Sequence, residues 1–338
     1  MIIIELYDGQ GLGNQLWVYV TTRYLSKKLN MPYIVLCSDR FKADNFLDID
    51  FGEVARKEEI IKKIEKNQVH YFKEKMHLDV ELFNCFMVGY DPDILNIKPY
   101  TKIDGYFQSE KYLFNDFEYM KEILPIMSPL LSENFLDKNT CILNIRGGDE
   151  YTNNVNLLLP KTYWTNALHN IRERYGINKF KIVTDDHEYA HKLFPELEIV
   201  REGIAESYIA LHQARYLIVS NSSFSYFPIK TMKEKPYVIA PMHWARFNNQ
   251  FKRWAGPANL YTDWCWQDYS GNLFTYKECL QNYDENISYY NTHYNILVKD
   301  DIMQNFTSFS IKKFFPKSLK VLMKKIMPYE LAKKFERL

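Results

Sequence analysis

The sequence predicts an α/β chain built on parallel sheets in two halves, and three observations carry that prediction. Short apolar runs alternate with helical stretches from the first residues to about position 240, the rhythm of strands joined by crossover helices. Most of these runs end in glycine, serine or acidic residues, where open α/β sheets carry their sites. The 338 residues are enough for two domains and a sizeable core.

The first run is Ile2 to Tyr7, followed by the glycine loop Asp8 to Gly13 (DGQGLG). Asn14 is placed to cap the next helix, with Leu16, Val20, Tyr24 and Leu25 spaced for one apolar face. Tyr33 to Cys37 is the second strand. The loop lacks the GxGxxG spacing of a dinucleotide fingerprint, and a plain tight turn is the alternative reading. Residues 38–100 carry little alternation apart from a charged helix over Glu58 to Gln68. In the segment Ile103 to Leu113 (IDGYFQSEKYL), Gly105 marks a strand end and Ser109 a helix cap. Residues 116–135 are spaced as a helix that Pro125 and Pro129 break.

Cys141 to Ile145 reads as a short apolar strand of the kind buried in a parallel sheet. It ends in Arg146, Gly147, Gly148, Asp149 and Glu150. Arginine offers a fixed fork of donors to a phosphate or carboxylate. The two glycines admit a close approach to the backbone. Asp149 and Glu150 are the nearest candidates for a proton acceptor. A solvated turn with an Arg–Asp pair is the plain alternative.

Pro160 opens a helix that runs to Tyr175, and Gly176 stops it. Phe180 to Val183 is a strand ending at Thr184, Asp185 and Asp186, with a helix from His187 to Leu193. Glu198 to Val200 is a short strand, Ser207 to Ala214 a helix and Tyr216 to Val219 a strand. That strand runs into SNSSFSYF, Ser220 to Phe227, a dense set of donors at a helix N-terminus, where backbone N–H groups bind anions. Tyr237 to Ala240 is the last strand of the series. Trp244, Trp254, Trp264 and Trp266 follow in a tyrosine-rich stretch and are read as core before cleft wall.

From Ile311 the chain changes character. Lys312, Lys313, Lys317, Lys320, Lys324 and Lys325 interleave with Phe314, Phe315, Leu319, Leu322 and Met323, a basic amphipathic pattern suited to an anionic membrane surface. A solvated helix docked on the body is the alternative.

Several classes are excluded. A net charge of +1 is no basic excess for nucleic acid. Five cysteines without a CxxC pair make neither a disulfide framework nor a zinc site, and a reducing compartment is expected. No HExxH, GxSxG or Walker pattern occurs. The first residues lack the pattern of a signal peptide, and no run of about 18 uncharged apolar residues exists to span a membrane.

Four segments in this order resemble the bacterial α-1,2-fucosyltransferase family: GLGNQL with downstream Tyr19, GYFQSEKYL, NIRGGDEY and SNSSFSYF. The third is similar to the family's HxRRGDY strand end and the fourth to its SNSSFSWW segment; TDD at Thr184 to Asp186 also fits. The resemblance covers roughly Ile2 to Trp244. Three positions depart from it: the family's His is Asn144 here, its second Arg is Gly147, and its Tyr is displaced by Glu150, with Tyr151 next.

The resemblance implies a GT-B-like fold, two Rossmann-like halves with a cleft between them: 1–135 on the acceptor side, 136–300 on the donor side, then the tail 301–338. It implies inverting transfer of fucose from GDP-fucose to a galactoside-type hydroxyl in surface-glycan synthesis, with no metal or other cofactor. Arg146 would hold the β-phosphate, with Asn221, Ser222, Ser223 and Phe224 on the pyrophosphate side. Gly11, Gly13, Asn14 and Gln15 would approach the sugar across the cleft, and Asp185 would sit near the nucleoside. The expected partners are a GDP-sugar, a glycan acceptor that includes lipid-linked forms, and, through residues 311–338, the cytoplasmic face of the inner membrane. The departures leave open another GDP-sugar, or a decayed scaffold that binds a sugar nucleotide without turning it over.

Overall fold

The computed structural model describes residues 1–79, 84–87, 89–127, 137–148, 158–200, 203–242, 260–293 and 296–298. Asp149, Glu150, Trp244, Trp254 and the basic tail 311–338 lie outside the described residues.

The first half opens with β1 (Ile2–Glu5), α1 (Leu12–Leu29) and β2 (Tyr33–Leu36). Next come α2 (Lys57–Glu65), β3 (His70–Lys73), the antiparallel pair β4 (Lys75–Asp79) and β5 (Asn84–Met87), β6 (Thr101–Asp104) and α3 (Phe117–Ile123). The order β2-β1-β6-β3 is parallel throughout. Alternation along β1 sends Ile2 and Ile4 to the face under α1, and Ile3 to the face that Ile60 of α2 covers.

The second half contains β7 (Thr140–Ile145), α4 (Lys161–Tyr175), β8 (Lys179–Thr184), α5 (His187–Leu193) and β9 (Glu198–Ile199). It continues through α6 (Ile204–Gln213), β10 (Tyr216–Val219), α7 (Tyr226–Lys230), β11 (Tyr237–Pro241), β12 (Cys265–Gln267) and β13 (Leu273–Phe274). The sheet order is β13-β12-β11-β10-β7-β8-β9, parallel except for β13 at one edge. Numbered within this half, the six parallel strands run 3-2-1-4-5-6, the doubly wound order. Cys141, Leu143 and Ile145 face α4 and α5, whereas Ile142 faces the core that includes α6, so helices cover both sides.

Two Rossmann-like halves thus follow one another along the chain, in the GT-B-like arrangement. The last described elements, α8 (Tyr276–His293) and β14 (Ile296–Val298), bring the chain back to pair β14 with β4.

The core joins the halves through α1. The spacing of Leu16, Val20, Tyr24 and Leu25 marks one buried face, and all four are buried. The other side is buried too: Trp17 is fully enclosed, its ring 4.4 Å from Tyr226, 5.0 Å from Phe227 and 5.9 Å from Tyr261. Up to Leu25 nearly every residue of α1 is buried, so these turns lie in the interior between the two sheets, while Lys27 and Lys28 at the end of the helix are exposed. Trp264 and Trp266 are also core.

Candidate functional site

In a doubly wound sheet the ligand crevice lies at the carboxyl ends of the strands where the winding reverses. Here that point falls between β7 and β10, which are neighbours in register, Asn144 opposite Val219. The chain leaves β7 through Arg146 and leaves β10 through Ser220, so two of the polar clusters read from the sequence flank the switch point. The Asn144 side chain and Ser220 are 5% and 1% exposed, and their Oδ1 and Oγ have no hydrogen-bond partner among the described residues.

The turn after β7 is held from β8. Arg146 forms an ion pair with Asp185, each side chain about a third exposed. Gly147 N–H donates to Asp185 Oδ1 and Gly148 N–H to Asp186 Oδ2, both at 3.0 Å. Gly148 is left-handed (φ 63°), a conformation that favours glycine. A Cβ on Gly147 would stand 2.6 Å from that of Asp186. The family's second arginine therefore has no room here unless Asp186 moves, and Asp186 is fixed by capping α5 through Tyr189 N–H at 2.9 Å.

After β10, Ser222 caps a 3₁₀ turn over Ser223–Ser225 by accepting Phe224 N–H at 3.3 Å, and its carbonyl accepts the Ser225 hydroxyl at 3.1 Å. Asn221 and Ser222 are buried, whereas Ser223 and Phe224 are half-buried. Ser223 faces the other half: its hydroxyl donates to Asn14 Oδ1 at 2.8 Å.

The opposing residues come from the start of α1. A Cβ on Gly13 would stand 2.4 Å from the Ser223 carbonyl carbon, so the helix and the serine turn touch backbone to backbone. At Gly11, the N-cap, a Cβ would meet nothing within 4 Å, which leaves space over the first turn. One expectation is corrected. Asn14 is not the cap but the third residue of the helix, and its Oδ1 accepts both Ser223 and Gln108 Nε2, the latter at 2.7 Å. Gln15 is fully buried with its amide committed to its own half: Nε2 donates to Arg40 O at 2.8 Å and Oε1 accepts Lys42 N–H at 3.0 Å.

Sequence reasoning missed the residues that tie the halves together. Glu110, the acid of FQSEKYL, accepts the Tyr226 hydroxyl at 2.9 Å, pairs with Lys230 at 2.7 Å, and takes both Thr262 N–H and Thr262 Oγ1–H at 2.8 Å. A charge that closely follows a strand end was the one local signal for it.

The facing wall consists of the carboxyl ends of β1 and β6. Glu5 pairs with Lys102 at 2.5 Å, Asp104 follows on β6, and the exposed Tyr7 and Tyr71 flank them. Although Tyr7 as a residue is 38% exposed, desolvation around its phenol, then Asp104 and Glu5, push that group above its usual range. Among the described residues, no group of three or more His, Cys, Asp or Glu gathers to hold a metal ion, and no helix is long and apolar enough to cross a membrane.

No protein-family model matches the chain. It is similar to the O-antigen biosynthesis glycosyltransferase WbnK of Escherichia coli, 24% identical over 291 residues that cover 72% of this chain and 95% of that protein. Solved structures overlap it loosely. They include the alpha-1,6-fucosyltransferase NodZ soaked with GDP-fucose (12% identity, 68% of this chain and 92% of that one, TM-score 0.39). POFUT1 in complex with GDP gives 13% identity, 71% and 96% coverage and a TM-score of 0.38. The fold assignment rests on the strand order itself.

Proposed function

We propose that the protein is an inverting glycosyltransferase that moves a sugar, fucose before other candidates, from its GDP-sugar to a hydroxyl of a surface glycan. One observation carries the reading: Arg146 and the Ser220–Ser223 donors stand on neighbouring strands at the switch point of a doubly wound sheet. The resemblance of the motifs, and the similarity to a glycosyltransferase of O-antigen synthesis, supply the substrate class.

In this reading the diphosphate occupies the crevice and draws the Arg146 guanidinium away from Asp185. Negative charge grows on the departing diphosphate in the transition state. Arg146, the Ser222 hydroxyl and nearby backbone N–H groups of the serine turn stabilise it without a metal. The sugar lies toward Gly11 and Gly13, and the acceptor hydroxyl attacks from the side of the first half. Asp149 or Glu150 removes its proton. An α-1,2 link to a galactoside, and attachment to the cytoplasmic face of the inner membrane through residues 311–338, complete the proposal.

The test is a titration of GDP-fucose, GDP-mannose and UDP-sugars, with and without EDTA, on wild type and Arg146→Ala. The expected result is metal-independent binding of a GDP-sugar and turnover reduced about 10²-fold or more in the variant. Preference for another donor would change the sugar and keep the clamp. Binding of GDP without turnover of any GDP-sugar would favour the decayed scaffold. Deleting residues 311–338 is expected to release the protein from anionic vesicles, as salt does for wild type; retention under both treatments would remove the membrane contact.

A further inference from the structure

One buried carboxyl is used by none of this chemistry. Glu74 follows β3 and is 2% exposed. Its Oε2 accepts Tyr106 N–H at 2.6 Å and Phe107 N–H at 3.1 Å. Gly105 permits that approach, since a Cβ there would stand 2.5 Å from Glu74 Cβ. Phe107 is fully buried and left-handed (φ 51°), a conformation that a bulky residue keeps only where its surroundings impose it. The next residue, Gln108, donates to Asn14, which also takes the Ser223 hydroxyl. Two positions further on, Glu110 grips Tyr226, Lys230 and Thr262. The turn thus hangs from Glu74 at one end and holds the second half at two points.

We propose that Glu74 is a positioning residue of the donor site: its carboxyl fixes the 105–108 turn and, through Gln108 and Asn14, the place of the serine turn 222–224 against the nucleotide sugar. This rests on the reading of that turn as a donor contact.

The charged and titratable groups around Glu74 are Asp104 on β6, Asp91 (paired with Lys75 at 3.0 Å) and the Tyr112 phenol. Burial raises the carboxyl most, the two N–H bonds oppose it, Asp104 and Asp91 add to it, and the balance lies at about 7. The folded value is raised, so this group's contribution to stability is present at low pH and is lost as pH rises through about 7. The two N–H bonds run the other way, because they strengthen when the acceptor is ionised. Ionisation therefore costs global stability while it tightens the turn.

The experiment uses the full chain, with Glu74→Ala and Glu74→Gln. Hydrogen exchange is followed in peptides spanning 104–110 and 220–226, and GDP-fucose and GDP-mannose are titrated on both sides of pH 7. These diphosphate diesters do not themselves titrate there. Wild type is expected to bind the GDP-sugar more tightly as pH rises through 7. Glu74→Ala is expected to lose protection in both peptides and to bind about tenfold more weakly, the scale of one lost bond to a charged group. Glu74→Gln, which still accepts both N–H groups, is expected to restore binding and to lack the pH step. Loosening of 104–110 alone in Glu74→Ala, or a wild-type pH step in Glu74→Gln, would overturn the proposal. If Glu74→Ala does not fold, the glutamine variant decides. If wild type binds no GDP-sugar at any pH, the donor reading itself fails, and the exchange of 220–226 still reports whether Glu74 governs that turn.

Discussion

Two ion pairs stand near the cleft, and they differ in every respect except charge. Arg146 and Asp185 are 31% and 30% exposed, both lie in the second half, and they join two strand ends. Lys230 and Glu110 are 9% and 10% exposed and join one half to the other. Around the second pair the neighbouring polar groups are engaged as well: Lys230 also donates to Thr262 O at 2.6 Å, and Glu110 takes Tyr226 and Thr262. Around the first, water and ligands have access. A buried pair with saturated hydrogen bonds is a joint, because opening it strands a charge. A half-open pair at a switch point is a latch that an incoming anion can exchange.

The largest effect expected from that contrast is at the joint. Glu110→Ala leaves Lys230 buried without its carboxylate and is expected to cost about 3–5 kcal/mol of stability, read from urea unfolding. A loss below about 1 kcal/mol would mean that solvent reaches Lys230 and that the two pairs are the same kind of object.

The latch is expected to separate stability from rate. Arg146→Ala removes a pair of the exposed class, worth about 0–1 kcal/mol, while turnover falls by ~10²-fold or more. The variant that unfolds easily and the variant that turns over slowly should therefore be different proteins. If Arg146→Ala lost stability on the scale of Glu110→Ala, the latch would be structural and the donor reading would lose its main residue.

The same contrast divides what the sequence disclosed from what it hid. In the second half, each strand is a short apolar run and the candidate site residues are the next few in the chain, so Arg146, Asp185 and the serines could be read locally. Pro160 and Gly176 fixed both ends of α4 for the same reason. In the first half, the arrangement depends on partners far along the chain. Trp17 is buried by residues beyond position 225, so spacing showed only one face of α1. Asn14 has the chemistry of a cap, and tertiary packing gives it instead Gln108 of its own half and Ser223 of the other. Glu74 lies in a stretch with no periodicity, and nothing local tells a buried acceptor of two backbone N–H groups from a solvated charge.

The smallest effect is also the most discriminating. Asp185→Asn removes the carboxylate that holds Arg146 and keeps an oxygen able to accept Gly147 N–H, so the turn is expected to stay in place. If Asp185 only competes with the diphosphate for Arg146, its loss strengthens GDP-sugar binding. An exposed pair worth up to about 1 kcal/mol corresponds to a gain of about fivefold at most. If Asp185 also touches the nucleoside, as the resemblance implies, the same change weakens binding, because a contact to the ligand is lost along with the competition. The direction of a change of a few fold, measured by calorimetry, thus tells a latch that merely releases from one that releases and then takes part in recognition.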